Sequence, residues 1–286
     1  MYPNLGIGAI GHMAALPETL DLARRYGFQG VDFSIVEAQS LADAHGVNYV
    51  RELFESKGVM AGVMNFPLEF RKDEATWQEG INALPAQAKL ASELGCKRTA
   101  TWIPPGHNQR NYVENFKFHV ERLVPAAAIL AEHGIAFGLE FIGPKTLRKT
   151  FQHRFVYTMD GMLALAAAID TGNVGLLLDI WHLYTAHGSL DDVRELNASE
   201  VVVVHINDAP SGIHVDEQLD QVRMLPGESG VLDISGFLAA LQEIGYDGPV
   251  TVEPFSQRVR AMTLEDAVAT TAASVRQVWP HSSVQA

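Results

Sequence analysis

The chain has a single cysteine, Cys96, so it can form neither an internal disulfide nor a thiolate-rich zinc site. Cys96 stands at the end of a helical pattern, just before an apolar run, where a small buried filler is expected. No uncharged apolar run reaches membrane-spanning length. Residues 1–5 carry neither the basic patch nor the apolar core of a leader, so the expected location is the cytoplasm. Positive charge is also scarce: 21 Lys and Arg stand against 34 Asp and Glu, for a net charge of −13. Such a chain repels phosphate backbones and anionic lipid, so neither nucleic acid nor a membrane is an expected partner.

Hydrophobic residues make up 47% of the 286 and charged residues 19%, which suits a large core and argues against disorder. Eight short apolar runs recur, at 5–10, 30–35, 60–66, 98–103, 135–142, 174–180, 201–206 and 249–254. Their Val, Ile and Leu content suits strands buried on both faces. Helical patterns lie between them: Leu16, Leu20 and Ala23 share a face, as do Leu123, Ala127 and Leu130, and later Leu264, Val268, Ala272 and Val275. Gly27, Gly58, Gly95, Gly134 and Gly245 mark helix ends before the next strand. Pro125 is expected to kink or divide its helix.

Eight strand–helix units without a linker predict an α/β fold, a single (β/α)₈ TIM barrel over residues 1–279, with a loose tail at 280–286. Two connections are unusually long, 143–158 after the fifth strand and 208–230 after the seventh. Long loops at the C-terminal ends of barrel strands commonly carry function.

Four successive strands end an apolar run on a carboxylate or an imidazole: Glu140, Asp179, His205 and Glu253. One such residue alone reads most simply as a strand-end surface group. Neighbouring strands lie about 4.8 Å apart, so four such ends converge on one small volume. Three carboxylates there cannot all stay ionised without a cation. Three oxygen ligands and one imidazole, with no thiolate, suit one divalent ion: Mn²⁺ first, then Co²⁺, Mg²⁺ or Zn²⁺.

The stretches 139–143 (LEFIG), 174–182 (VGLLLDIWH), 205–208 (HIND), 223–228 (RMLPGE) and 252–255 (VEPF) give the chain a family likeness. It resembles the xylose-isomerase-like TIM-barrel superfamily of sugar isomerases and epimerases, and among them the inosose isomerases. The likeness is strong from residue 135 to 255 and weak before. It implies that Glu140, Asp179, His205 and Glu253 bind the metal, that His182 and Arg223 contact substrate oxygens, and that Glu140 and Glu253 also act as acid and base.

The expected function is therefore a divalent-metal-dependent isomerase or epimerase acting on an inosose or ketose. A metal chelated by a ketone oxygen and the adjacent hydroxyl acidifies the C–H between them, and proton transfer passes through a metal-bound enediolate. An inosose-dehydratase-like lyase, expelling water from the same enediolate, shares every ligand. An apurinic-site nuclease shares the barrel but needs further histidines where this chain reads Met64-Asn65-Phe66 and Thr101-Trp102-Ile103. A sugar-binding module without catalysis has no need of a metal between two glutamates. The expected partner is a small polyol or ketose, and a homo-oligomer is compatible with the sequence.

Other signals weigh less. Residues 6–11 (GIGAIG) match a dinucleotide fingerprint, but five residues before them leave no proper first strand and the helix starts near Pro17, so they read as the first barrel strand itself. Asp32, at the second strand end, suits a pocket wall or a surface equally. Lys145, Arg148, Lys149 and Arg154 form a local positive field, solvated or able to meet an anionic group on a substrate. Asn65, Phe66, Trp102 and His107 are candidates to shape the pocket.

Overall fold

The structure, a computed structural model, describes residues 1–280. Eight parallel strands close a barrel in chain order: β1 (Tyr2–Leu5), β2 (Gly30–Phe33), β3 (Met60–Asn65), β4 (Arg98–Ile103), β5 (Ala136–Phe141), β6 (Val174–Asp179), β7 (Val201–Ile206) and β8 (Pro249–Val252). Val201, Val202, Val203 and Val204 are all buried, because helices cover the outer face of β7 while the barrel interior covers the other. This is the (β/α)₈ barrel that the eight apolar runs predict.

The helix Leu16–Tyr26 buries Leu16, Leu20 and Ala23, the face read from its spacing. It stops at Gly27, whose φ of 83° costs any residue with a Cβ. The crossing from β2 to β3 uses two helices, Ile35–His45 and Val47–Lys57. The tail expected from residue 280 falls, from 281 on, outside the described residues.

Three expectations change. The first strand is Tyr2–Leu5, not 5–10, so a proper strand does precede the glycines; residues 7–11 instead form turns, tied by Ile10 N–H to Gly6 O and Gly11 N–H to Gly8 O. The dinucleotide reading still fails, because no helix opens until Leu16. Pro125 does not divide its helix, which runs unbroken from Tyr112 to Glu132. The loop after β5 is not wholly irregular: His153–Arg154 pairs antiparallel with Gly106–His107 outside the barrel.

Strand register positions the site. Leu176 pairs with Val201 but Leu177 with Val203, so one extra residue on β7 brings His205 opposite Asp179. His205 also pairs with Thr251 on β8. Glu253, two residues beyond Thr251, points to the same face, and its N–H extends the ladder to Ile206 O at 3.1 Å.

A candidate metal centre at the barrel mouth

Glu140, Asp179, His205 and Glu253 each offer a ligating atom, and these atoms lie within 4.8 Å of one another. Asp179 is fully buried and held from three sides. Trp181 N–H donates to its Oδ1 at 2.7 Å, Asn207 Nδ2 to both oxygens at 3.1 and 3.2 Å, and Arg223 Nη1 to Oδ2 at 2.7 Å. Asp179 thereby caps the short helix Ile180–Thr185, which carries His182 one turn on, into the same mouth.

The electrostatics are those of a site short of positive charge. Burial, with the Glu253 charge behind it, holds the Glu140 carboxyl well above its ordinary range. Burial raises Asp179 too, against the pull of Arg223. For Glu253 burial acts upward but His205 and Arg223 outweigh it, and the carboxyl is held low. Burial would lower the His205 imidazole, yet Glu253, Glu140 and Asp179 bring it up to about 9.

Two buried atoms in this centre have no hydrogen-bond partner, Glu140 Oε1 and His205 Nδ1, and they face each other at 3.8 Å. His205 Nδ1 is also 3.6 Å from Glu253 Oε2. Orphaned buried polar atoms are costly. A divalent cation among them would satisfy both and would displace the proton on the imidazole, since a ligating histidine is neutral. The donor set fits such an ion.

His182 and Arg223, singled out by family likeness, meet beside this centre. Gly143 N–H lies 3.3 Å from His182 Nδ1, and Arg223 Nη2, which can only donate, lies 3.1 Å from Nε2, so the ring is approached by a donor at each nitrogen. Burial first, then the charges of Arg223 and His205, keep this imidazole neutral. Both side chains stand on the wall of a 280 Å³ cavity also lined by Glu140, Glu253 and Trp102. Arg223 is not a solvated loop residue awaiting closure. It is 3% exposed and bridges Asp179, Glu253 and Asp220.

Three residues without an assigned role support the site. Asn207 orients Asp179. Asp220 binds Arg223 Nη2 at 2.9 Å. Asp208, fully buried, accepts the N–H groups of Ala209, Ser229, Gly230 and Leu232 at 2.8 to 3.1 Å and so ties both ends of the 208–230 loop. Asn207 and Asp208 lie within the 205–208 stretch, two and three positions after His205, whereas no sequence signal marks Asp220.

Other sequence candidates are placed differently. The four cations after β5 line neither mouth cavity. Lys145 pairs with Asp216, Arg148 stacks on Tyr157 at 3.9 Å, and Lys149 and Arg154 are exposed. His107 accepts two loop N–H groups and Phe66 stacks on Phe137, while Asn65 and Asp32 line a larger cavity beside the first. Cys96 is buried, as expected of a filler. Among the described residues no helix is long and apolar enough to cross a membrane.

The chain is similar to known proteins at low identity. The chain is 24% identical to an inosose isomerase of Bacillus velezensis over 263 residues, 89% of each chain. It is 27% identical to a 3-dehydroshikimate dehydratase of Pseudomonas putida over 259 residues, 89% of this chain but 38% of that one. A solved structure described as an IOLI protein with a binding zinc atom superposes with a TM-score of 0.79 at 21% identity, covering 97% of this chain and 98% of that one. The family described as xylose isomerase-like TIM barrel matches residues 20–278, and this chain belongs to it.

Proposed function

We propose that the protein is a divalent-metal-dependent isomerase or epimerase of an inosose or ketose, working by proton transfer next to a carbonyl. The observation that carries this is the pair of orphaned, buried ligand atoms, Glu140 Oε1 and His205 Nδ1, inside a four-residue set within 4.8 Å. Glu140, Asp179, His205 and Glu253 would hold one ion. Mn²⁺ is the first choice for three oxygens and an imidazole, and the zinc in the related IOLI structure supports a divalent ion in general. When bound, the ion supplies Lewis acidity to a ketone oxygen and its neighbouring hydroxyl.

The chain's own groups do the rest. Glu140 lies one residue before the end of β5 and Glu253 follows β8, so carboxylates from opposite sides of the ligand set would flank the substrate carbon. One takes the carbon-bound proton and the other returns a proton to the far face or the neighbouring carbon. Arg223 and His182, which line the cavity beside the ligand set, would meet the substrate oxygens on which negative charge builds. The single cysteine is free and buried, in keeping with the cytoplasm.

A lyase reading has one observation in its favour, the likeness to the dehydratase. Both readings are tested by one panel of inososes and ketoses incubated with added Mn²⁺ in deuterated buffer. Deuterium on product carbon with isomerised product supports the proposal. Loss of water replaces it with the lyase, and no change in any substrate overturns both.

A further inference from the structure

The barrel mouth has a second, larger lobe, about 520 Å³, that meets the metal centre only at His205. Most of its polar wall is already engaged. Glu37 Oε1 accepts Leu16 N–H at 2.8 Å, Asn65 Oδ1 accepts Ile35 N–H at 2.8 Å, and His12 Nε2 lies 3.1 Å from Val259 O. Asp32 differs. Its Oδ1 accepts Asn4 Nδ2 at 2.5 Å, while Oδ2 makes no hydrogen bond among the described residues. Asn4 also donates to Thr251 Oγ1 at 3.0 Å, which anchors the pair to β8.

The backbone is built around this pair. A Cβ on Gly6 would stand 2.6 Å from Asp32 Oδ2, and one on Gly30 would stand 2.6 Å from Asn4 Oδ1, closer than real Cβ atoms approach. Gly62 leaves room for Asn4 in the same way. Two strands and the residue that follows β1 thus forgo a side chain to seat Asn4 and Asp32 at the lobe floor.

Among the described residues no lysine or arginine lines this lobe, and the one that lines the smaller cavity, Arg223, is bound by Asp179, Asp220 and Glu253. We propose that the Asp32 lobe is the subsite for the distal hydroxyls of an uncharged polyol, with Asp32 Oδ2 accepting a hydroxyl hydrogen, and that it rejects substrates bearing a carboxylate or phosphate. The assignment of the lobe to distal hydroxyls rests on the polyol-ketone reading of the metal centre. A like charge about 6 Å from Asp32, at an effective dielectric of about 20, disfavours binding by about 100-fold. A carboxylate substrate, such as dehydroshikimate, would therefore meet Asp32 with no lysine or arginine beside it.

The test uses calorimetry at pH 8 on the metal-loaded protein, with myo-inositol as the neutral probe and shikimate as the carboxylate probe. Neither is a ketone, so the readout is binding alone. Wild type binds myo-inositol at least about 10-fold more tightly than shikimate. Asp32→Asn, nearly isosteric, and Gly6→Ala, which displaces the carboxylate without removing it, each weaken myo-inositol about 10-fold, and Asp32→Asn narrows the gap to shikimate. No myo-inositol binding to wild type, equal affinity in the three proteins, or shikimate bound as tightly as myo-inositol overturns the subsite. In parallel, 2-keto-myo-inositol is assayed for exchange and turnover. Turnover without dependence on Asp32 removes the subsite and leaves the proposed reaction. Asp32-dependent binding with no reaction on any ketone removes the reaction and leaves the subsite.

Discussion

Arg223 Nη1 stands 2.7 Å from Asp179 Oδ2, both side chains out of contact with solvent, and the same nitrogen is 3.0 Å from Glu253 Oε2. A guanidinium from a loop thus bridges two of the four candidate ligands, and its Nη2, held by Asp220 at 2.9 Å, lies beside His182 on the cavity wall. Arg223→Ala should lower kcat about 10²-fold with metal content intact, because a donor to developing negative charge is lost. It should also lower the melting temperature of the metal-free protein, where Asp179 and Glu253 are left without a counter-charge, and enlarge the rise on adding Mn²⁺. An unchanged kcat would return Arg223 to a purely structural role.

The ligand set predicts one divalent ion per chain. Elemental analysis of Asp179→Asn and His205→Ala should show its loss, since water fills either place poorly. Affinity should rise with pH, because protons on His205 and Glu140 compete with the ion. Full occupancy in both variants would rule the site out.

Glu253→Gln removes a proton acceptor while keeping its shape. In deuterated water this variant should show neither exchange at the substrate carbon nor turnover, each reduced at least about 10²-fold. Metal content is measured alongside. Exchange that persists in a metal-loaded variant would leave Glu253 as a ligand only.

Asp208 holds four backbone N–H groups at the two ends of the 208–230 loop. Asp208→Ala strands these donors, so cleavage by a protease within the loop should quicken. KM should rise about 10-fold as Arg223 loses its fixed position, with the ion still bound. Asp208→Asn, which keeps some acceptor capacity, should recover part of the loss. Wild-type KM and protection in Asp208→Ala would show that the loop holds itself.

His119, buried and stacked on Phe155 at 4.9 Å, has its imidazole pushed down to about 4, chiefly by burial. The unfolded chain takes up this proton near 6.5 and the folded chain only near 4. Its contribution, about 3 kcal/mol, is therefore present above 6.5 and lost as pH falls from 6.5 towards 4. Denaturant titrations should show wild type losing about that much stability relative to His119→Phe as pH falls across that window. A difference that does not vary with pH would place the proton elsewhere.

The repeating apolar runs determined the barrel, because a parallel strand buried on both faces has to be a run of branched apolar residues. The same rule made Glu140, Asp179, His205 and Glu253 visible: each breaks such a run at the end where the barrel opens. Residues 5–10 mislead because Gly, Ala and Ile serve equally in a strand and in a turn; the choice is made by packing, where Gly6 sits against Asp32 and Thr251. Pro125 likewise stays inside its helix, where the proline rule, being local, predicts a break.

Tertiary structure alone decided what surrounds the ligands. Arg223 reaches Asp179 across 44 positions, Asp208 ties N–H groups up to 24 positions away, and Asn4 joins Asp32 to Thr251 across 247. These residues come from irregular loops or single inward positions on different strands, where no period marks them. Periodicity reports which face of an element is buried. Which polar groups meet at the mouth is set by strand register and loop path, and these exist only once the barrel has closed.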